Sequence, residues 1–377
     1  MWGRRYLRHR IDLFWMEPTK VFIYSEQRRF AGQAARIGGG FDCSPRIGAC
    51  EKKRDCICLR LRGKVVLGSC ARAVGSRRVV VPELVIEQRR HSLGGFDVGR
   101  LLPFAKRRMV GPFIFFDHLG PVQFEAGIPR SVDVRPHPHI GLSTVTYLFG
   151  GEVMHRDSVG SEQVIRPGEV NWMTAGRGIT HSERFERARR EGDLIHGIQA
   201  WVALPERDEE TEPAFFHHGT ADLPVFDDGA ARARLIAGKA FGAEAIVRTH
   251  SPMFYLHWEL QQGARVRLPT GHPERAAYVV QGSIEIDGAR LGPGNMAVLA
   301  AGDQGILRAI SPAIVMALGG EPLGRRFIEW NFVSSSKDRI EQAKADWRAG
   351  RIKLPDLDHD EFIPLPADPT PPDKPMS

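Results

Sequence analysis

Residues 136–148 read PHPHIGLSTVTYL, and two histidines separated by one residue open this stretch. In an extended strand, residues i and i+2 point to the same face, so His137 and His139 are expected to project side by side. Pro138 between them has no backbone N–H, which places this end of the strand at a sheet edge or a bulge. The β-branched and aromatic run TVTYLF at residues 144–149 is typical of a strand.

The same spacing returns in the stretch PGEVNWMTAGRGITHSE at residues 167–183, where His181 and Glu183 stand at i and i+2. If both strands face one barrel interior, three imidazoles and one carboxylate converge on one point. This donor set suits borderline divalent metals, and iron, nickel, cobalt, copper, zinc and manganese all stay open. An octahedral ion would keep two positions for water, O₂ or substrate, which is typical of a catalytic site rather than a structural one.

The pattern of residue types around these stretches predicts an all-β fold built from two similar units. Short β-rich runs, punctuated by Gly, Pro, Asp and Asn, continue from residue 79 onwards. An internal duplication aligns YLFGG at 147–151 with YVVQG at 278–282, and it also aligns two later turns: Pro167-Gly168 with Pro293-Gly294, and Ala175-Gly176 with Ala301-Gly302. Leu268 and Thr270 stand where a second histidine pair would fall, so only the first unit is predicted to bind metal.

The chain divides into four predicted parts. Residues 1–76 have no sustained period and are predicted to be a poorly ordered, basic extension. Residues 77–210 and 211–333 are predicted to be the metal-binding β unit and the second β unit. Residues 334–377 should hold one helix, capped within the serines at 334–336, with Ile340, Ala343 and Trp347 as its apolar stripe and Gly350 at its end. A Pro-rich, extended or disordered tail should follow.

Charge is distributed unevenly, and this decides which partners the protein is expected to bind. The first 78 residues contain 18 Lys and Arg against 6 Asp and Glu, whereas the remainder contains 34 against 39. The basic balance of the whole chain therefore belongs to the extension, and the mildly acidic body is a poor surface for nucleic acid. A basic arm that binds nucleic acid is the alternative interpretation of the extension.

Cysteine usage and hydropathy indicate a reducing, non-membrane setting. All five cysteines lie before residue 79, and Cys56-Ile57-Cys58 lacks the C-x2-C spacing of zinc sites, so free thiols are favoured over a zinc site. No stretch approaches the ~20 apolar residues of a membrane helix, and the arginine-rich start has no apolar signal region. We expect a cytoplasmic monomer.

The stretches at 136–148 and 167–183, together with GGEVMHRD at 150–157 and HGIQAWV at 196–202, resemble the pirin family. The resemblance covers about residues 79–350 and leaves out residues 1–76. It implies two stacked cupin-type β-barrels (a bicupin) with one metal ion in the first barrel. It also implies Fe(II), held by the residues that match the motif, which are His137, His139, His181 and Glu183. The choice of iron over the other metals rests on this resemblance.

Some bacterial pirins cleave quercetin as 2,3-dioxygenases. The resemblance therefore implies an enzyme that opens a flavonol or similar enolisable aromatic with O₂, in which Glu183 also takes the substrate's proton. Nuclear pirins resemble redox-sensing transcriptional co-regulators, so the alternative is an iron-dependent binding protein with a protein partner and no turnover. A structural cupin that merely retains a metal is a third interpretation.

Several residues near the motif are weaker candidates for the pocket. Trp172, Met173 and Phe149 would suit an apolar wall, although core packing is the simpler interpretation. Arg177 could hold an anionic group or form an ion pair at a turn. Gln199 could hydrogen-bond a water molecule at the metal.

Overall fold

The computed structural model describes residues 60–61, 64–65, 82–93 and 95–367. The chain forms two compact units, Met1–Arg78 and Val79–Ser377. In the first unit, strands β1 (Arg60–Leu61) and β2 (Lys64–Val65) pair antiparallel. The other predictions for residues 1–76, including the state of the cysteines, fall outside the described residues.

The first half of the larger unit is a β-barrel made of a seven-stranded and a four-stranded antiparallel sheet. The elements in chain order are β3 (Leu84–Glu87), β4 (Arg89–Ser92), β5 (Asp97–Leu102), β6 (Phe113–Phe124), β7 (Val134–His139), β8 (Leu142–Gly150), β9 (Val153–Asp157), β10 (Glu162–Ile165), β11 (Val170–Thr174), β12 (Ile179–Arg184), α1 (Glu186–Glu191), β13 (Asp193–Ala203) and β14 (Ala214–His218). The seven-stranded sheet has the order β14-β11-β8-β13-β6-β5-β4, and the four-stranded sheet has the order β10-β9-β12-β7. Two 3-10 turns, Arg130–Val132 and Glu206–Asp208, lie in connections.

The second half repeats this plan with one eight-stranded and one four-stranded sheet. The strands of this half are β15 (Val225–Asp227), β16 (Ala231–Ala240), β17 (Ala243–Glu244), β18 (Met253–Leu260), β19 (Arg265–Arg267), β20 (Glu274–Gln281), β21 (Ile284–Ile286), β22 (Ala289–Leu291), β23 (Asn295–Leu299), β24 (Ile306–Ala309) and β25 (Ala313–Gly320), and they are followed by β26 (Phe327–Glu329), β27 (Phe332–Ser334) and α2 (Lys337–Arg348). The larger sheet has the order β15-β16-β18-β25-β20-β23-β3, with β17 paired to β16, and the smaller sheet has the order β19-β24-β21-β22.

Two of the three aligned turns of the duplication adopt closely matching backbone conformations. Gly151 and Gly282 have φ values of 85° and 78°, and Gly168 and Gly294 have 80° and 82°. Because L side chains rarely adopt positive φ, glycine is favoured at these turns. The predicted all-β class with two cupin-type barrels and a C-terminal helix is confirmed.

The two large sheets pack face to face and share one core. Alternate residues of each strand point into this core, and the others point into the strand's own barrel. Tyr147 on β8 and Tyr278 on β20, equivalent in the duplication, are both buried in it. Each hydroxyl forms a hydrogen bond to a histidine of the other barrel, Tyr147 to Nδ1 of His257 at 2.8 Å and Tyr278 to Nδ1 of His118 at 2.7 Å.

The barrels also exchange strands across the predicted boundaries. Strand β3 precedes the first barrel in sequence but pairs with β23 of the second. Strand β14 follows residue 210 but pairs with β11 of the first barrel. The division at residue 210 stays a prediction, whereas strand pairing assigns residues 214–218 to the sheet of the first half.

The C-terminal helix α2 forms where its pattern predicts it. Ile340, Ala343 and Trp347 are buried, and Gly350 follows the helix with φ 65°. The cap is Ser336, whose hydroxyl accepts a hydrogen bond from the Arg339 N–H, while the other two serines of the run hydrogen-bond Glu209. In the part of the chain that the structure describes, no helix has the length and apolarity needed to cross a membrane.

The segment after α2, residues 355–367, packs against the first barrel without regular secondary structure. Asp358 is buried against Arg184, and the Ile363 N–H donates to the Pro136 carbonyl at 2.8 Å. This part of the predicted tail is therefore irregular, with a turn at Pro355–Asp358, and is held by specific contacts. Residues 368–377 lie outside the described residues.

Candidate metal centre

Strands β7 and β12 bring the three predicted histidine ligands together. They pair antiparallel with His137 opposite His181, and β7 is the edge of its sheet, as Pro138 predicts. The candidate ligand atoms of His137, His139 and His181 all lie within 4.8 Å of one another. Nε2 of His139 and Nε2 of His181 lie 3.1 Å apart.

Hydrogen bonds to backbone carbonyls orient two of these rings. Nδ1 of His137 donates to the Arg135 carbonyl at 2.9 Å, and Nδ1 of His139 donates to the Asn331 carbonyl at 3.1 Å. A neutral imidazole that donates through Nδ1 keeps its lone pair on Nε2, the nitrogen that a metal would bind.

Burial keeps these rings neutral. It lowers the pKa of His137 to about 4 and holds the pKa values of His139 and His181 well below the usual range, and neighbouring imidazoles add to the effect for all three. All three rings are therefore unprotonated at neutral pH and can act as ligands.

The third ring is supported by two residues that sequence reasoning did not assign to the site. Nδ1 of His155 lies 3.4 Å from Nδ1 of His181, and Nε2 of His155 donates to Oδ2 of Asp157 at 2.9 Å. In turn, Oδ1 of Asp157 accepts the N–H groups of Val159 and Ser161. The available signal was a further i, i+2 pair, His155 and Asp157, within the motif stretch at 150–157. A carboxylate behind a ligand histidine is a common device for fixing its tautomer and orientation.

Glu183 lies on the same face of β12 as His181 and lines the same cavity as His137 and His139. The pairing of β12 with β7 shifts register between His181 and Glu183. The Glu183 carboxylate lies outside the group of ligand atoms that meet within 4.8 Å. Burial raises its pKa to about 7. The structure thus brings three imidazoles together with a carboxyl group nearby, and the four-ligand set stays a prediction.

His137 and His139 border a cavity of about 410 Å³ with mainly apolar walls. Phe115 stacks on Trp201 with ring centroids 4.0 Å apart, and Trp201 meets the His139 ring edge-on at 5.0 Å. Trp330, from the turn between β26 and β27, and Ile363, from the C-terminal segment, also line the cavity. The volume falls within the range of small-molecule sites.

Of the weaker candidates from the sequence, the structure places only Gln199 in the cavity lining. Trp172 is buried in the core shared by the two barrels, and Phe149 and Met173 also pack in apolar clusters without lining the cavity. Arg177 is 58% exposed and pairs with Glu212 at the surface. Gln199 does line the cavity.

The donor set fits a metal ion. Three buried, neutral imidazoles with their remaining nitrogens tied to hydrogen-bond partners match the chemistry of a borderline divalent cation. The close approach of two Nε2 atoms, each a lone-pair acceptor in this arrangement, is unfavourable unless a cation or a proton lies between them.

Two family models match the chain. The pirin model matches residues 95–202, and the pirin C-terminal cupin domain model matches residues 255–353. A pirin-like protein from Caulobacter vibrioides is 63% identical over 285 residues, which cover 75% of this chain and 99% of that protein.

Two further relatives are named after an enzymatic activity. A Pseudomonas aeruginosa protein, provisionally named quercetin 2,3-dioxygenase, is 39% identical over 74% of this chain and 87% of its own length. The crystal structure of quercetin 2,3-dioxygenase from Acinetobacter baumannii aligns with a TM-score of 0.69 at 32% identity, covering 76% of this chain and 96% of that one. By the matches to its two halves and to relatives along almost their whole length, the chain belongs to the pirin family of bicupins.

Proposed function

We propose that this protein is a mononuclear metal-dependent dioxygenase that opens a flavonol or a similar enolisable aromatic with O₂. The observation that carries the proposal is the group of three neutral imidazoles, two of which line a cavity with aromatic walls. Relatives named as quercetin 2,3-dioxygenases support the substrate class.

His137, His139, His181 and Glu183 would hold the ion. Fe(II) is the ion that the resemblance to the family implies, and the donor set also fits nickel, cobalt, copper, manganese and zinc. When bound, the ion supplies Lewis acidity toward the enolic hydroxyl and a place for O₂ to react.

The chain's own residues would bind the substrate and move its proton. The stacked Phe115 and Trp201 offer an apolar wall to a flat aromatic substrate. Glu183, with a pKa raised to about 7 by burial, is suited to take the proton of the enolic hydroxyl near neutral pH. The net reaction is balanced as flavonol plus O₂ giving the ring-opened ester plus carbon monoxide.

The test is O₂ uptake and carbon monoxide release with quercetin, using protein purified without oxygen and loaded with Fe(II). We expect turnover in the native protein and a loss of at least a hundredfold in kcat in His139→Ala, because the variant removes a ligand. His250→Ala, which changes a histidine paired with Asp208 away from the cavity lining, is the matched control and should keep its activity.

Absence of turnover in native protein that retains its iron would contradict the dioxygenase proposal. The redox-sensing regulator would use the same ligands. Capture of one protein partner in a single iron oxidation state would support that alternative.

A further inference from the structure

A row of polar residues crosses the inner wall of the first barrel at one level. Thr146 on β8 lies opposite Gln199 on β13, which lies opposite Asp117 on β6, which lies opposite Arg100 on β5. All four residues line the cavity that His137, His139 and Glu183 also line. We call these four residues the polar row.

The neighbouring levels of the same wall are mainly apolar. On one side of the polar row, two residues further along β13 and β6, Trp201 lies opposite Phe115. On the other side, Gly197 lies opposite Leu148 and Leu119. Burying polar side chains costs free energy unless they are hydrogen-bonded, and an apolar row would fill this wall equally well. The position of the row between apolar levels therefore points to recognition rather than to folding.

Hydrogen bonds within the row leave specific groups free to meet a ligand. The Thr146 hydroxyl donates to Oε1 of Gln199 at 2.8 Å, which fixes the orientation of the amide. Within the described residues, Nε2 of Gln199 has no partner, and the half-buried side chain faces the cavity. The row therefore presents one oriented N–H donor.

Arg100 and Asp117 supply the complementary acceptor. Nε and Nη2 of Arg100 donate to the two carboxylate oxygens of Asp117 at 2.9 and 2.8 Å, and the guanidinium also lies over the Phe115 ring. Each carboxylate oxygen keeps a lone pair beyond these two bonds. The pair is neutral overall, so it offers little attraction to a free carboxylate but can bind hydroxyl groups as both acceptor and donor.

We propose that the polar row recognises hydroxyl groups of an aromatic substrate other than the group that binds the metal. Gln199 and Asp117 are then the residues that discriminate between flavonols by these further hydroxyl groups, and Thr146 and Arg100 are positioning residues. This inference rests on the proposed function, since it assigns specificity-determining residues of the same site.

The test compares quercetin with 3-hydroxyflavone, which keeps the 3-hydroxy-4-keto group and lacks the other four hydroxyls. In the metal-loaded native protein, kcat/KM for quercetin should exceed that for 3-hydroxyflavone by roughly tenfold or more, because the latter leaves buried polar groups unpaired. Gln199→Leu and Asp117→Asn should each bring the ratio close to one. Arg177→Gln, at a surface ion pair, is the control that should keep the ratio.

A parallel measurement of Kd for both compounds, by quenching of tryptophan fluorescence, separates this inference from the proposed function. Preference for quercetin in Kd that is lost in both variants, without any turnover, would support the polar row and contradict the dioxygenase. Turnover with an unchanged ratio in folded Gln199→Leu and Asp117→Asn, or no preference in the native protein, would overturn the polar row. Thermal unfolding establishes that each variant is folded, and Thr146→Val provides a further variant that releases the Gln199 amide without altering charge.

Discussion

Burial acts on Glu183 and on the three histidines in opposite directions. It raises the pKa of the Glu183 carboxyl to about 7, and it lowers that of His137 to about 4. Between pH 5 and 7 the imidazoles are therefore already neutral, and the carboxyl group is the one that must lose a proton before it can bind a cation. Proton release on metal binding should come mainly from Glu183 in this range.

We expect metal affinity to increase with pH by about tenfold per unit below pH 7 and to level off above it, because a raised carboxyl pKa means protonation below that value. A competition titration against a chelator of known affinity, from pH 5.5 to 8.5, measures this. Glu183→Gln should bind more weakly at pH 8 and lose most of the slope. A slope that persists in this variant would show that another group releases the proton.

The sequence predicts the metal centre only where two of its residues stand two positions apart on one strand. His137, His139, His181 and Glu183 stand out because i, i+2 pairs are visible in sequence. The support from His155 depends on the register between β9 and β12, which places His155 opposite Glu183. Strand period alone does not fix this register.

The polar row is likewise absent from any local pattern, because its four residues lie on four strands and become neighbours only when those strands pair. Trp172 lies on a strand that is recognisable in the sequence, but the sequence does not tell which face of that strand points into the cavity. The sheet decides this, and Trp172 faces the core shared by the two barrels.

At the scale of elements, the C-terminal segment is attached to the strand that carries two of the candidate ligands. Ser182 and Arg184 alternate with His181 and Glu183 on β12 and point to the opposite face. Both hydrogen-bond Asp358, with the Ser182 hydroxyl at 2.6 Å and Arg184 Nη2 at 2.7 Å. Burial alone would raise the pKa of Asp358, but these hydrogen bonds and the charge of Arg184 hold it below its usual range.

Composition predicts the irregular backbone of this segment, since proline prevents regular structure, but not its docking. Docking depends on Arg184, which is 2% exposed and distant in sequence. Residues 355–367 of the proline-rich stretch are thus part of the first barrel's packing.

Removing the Asp358 carboxylate should destabilise the protein by about 3 kcal/mol, because it leaves the Arg184 charge buried with fewer partners. We expect Asp358→Ala to show this loss in denaturant unfolding and to become sensitive to proteolysis within residues 355–367. Asp356→Ala, at an exposed pair with Lys353, is the matched control and should change stability by less than about 0.5 kcal/mol. Equal behaviour of the two variants would argue that the segment is not anchored by this contact.

At the scale of the whole molecule, the two barrels are joined through a common core, exchanged strands and reciprocal tyrosine–histidine hydrogen bonds. Strand β3 completes the sheet of the second barrel and β14 that of the first. Neither barrel can then lose its structure without exposing apolar surface and strand edges of the other. This coupling predicts one cooperative unit, in contrast to the independent behaviour of domains that meet through small interfaces.

We therefore expect loss of bound metal from the first barrel and loss of β-sheet signal from both barrels to occur in one thermal transition. Tyr278→Phe, in the second barrel, removes the hydrogen bond to His118 and should cost about 1–2 kcal/mol. Since the barrels unfold together, the variant should lower the temperature of metal release and of the far-ultraviolet circular dichroism change by the same amount. If only part of the dichroism change shifts while metal release stays at the native temperature, the barrels are independent, and the shared core does not couple them.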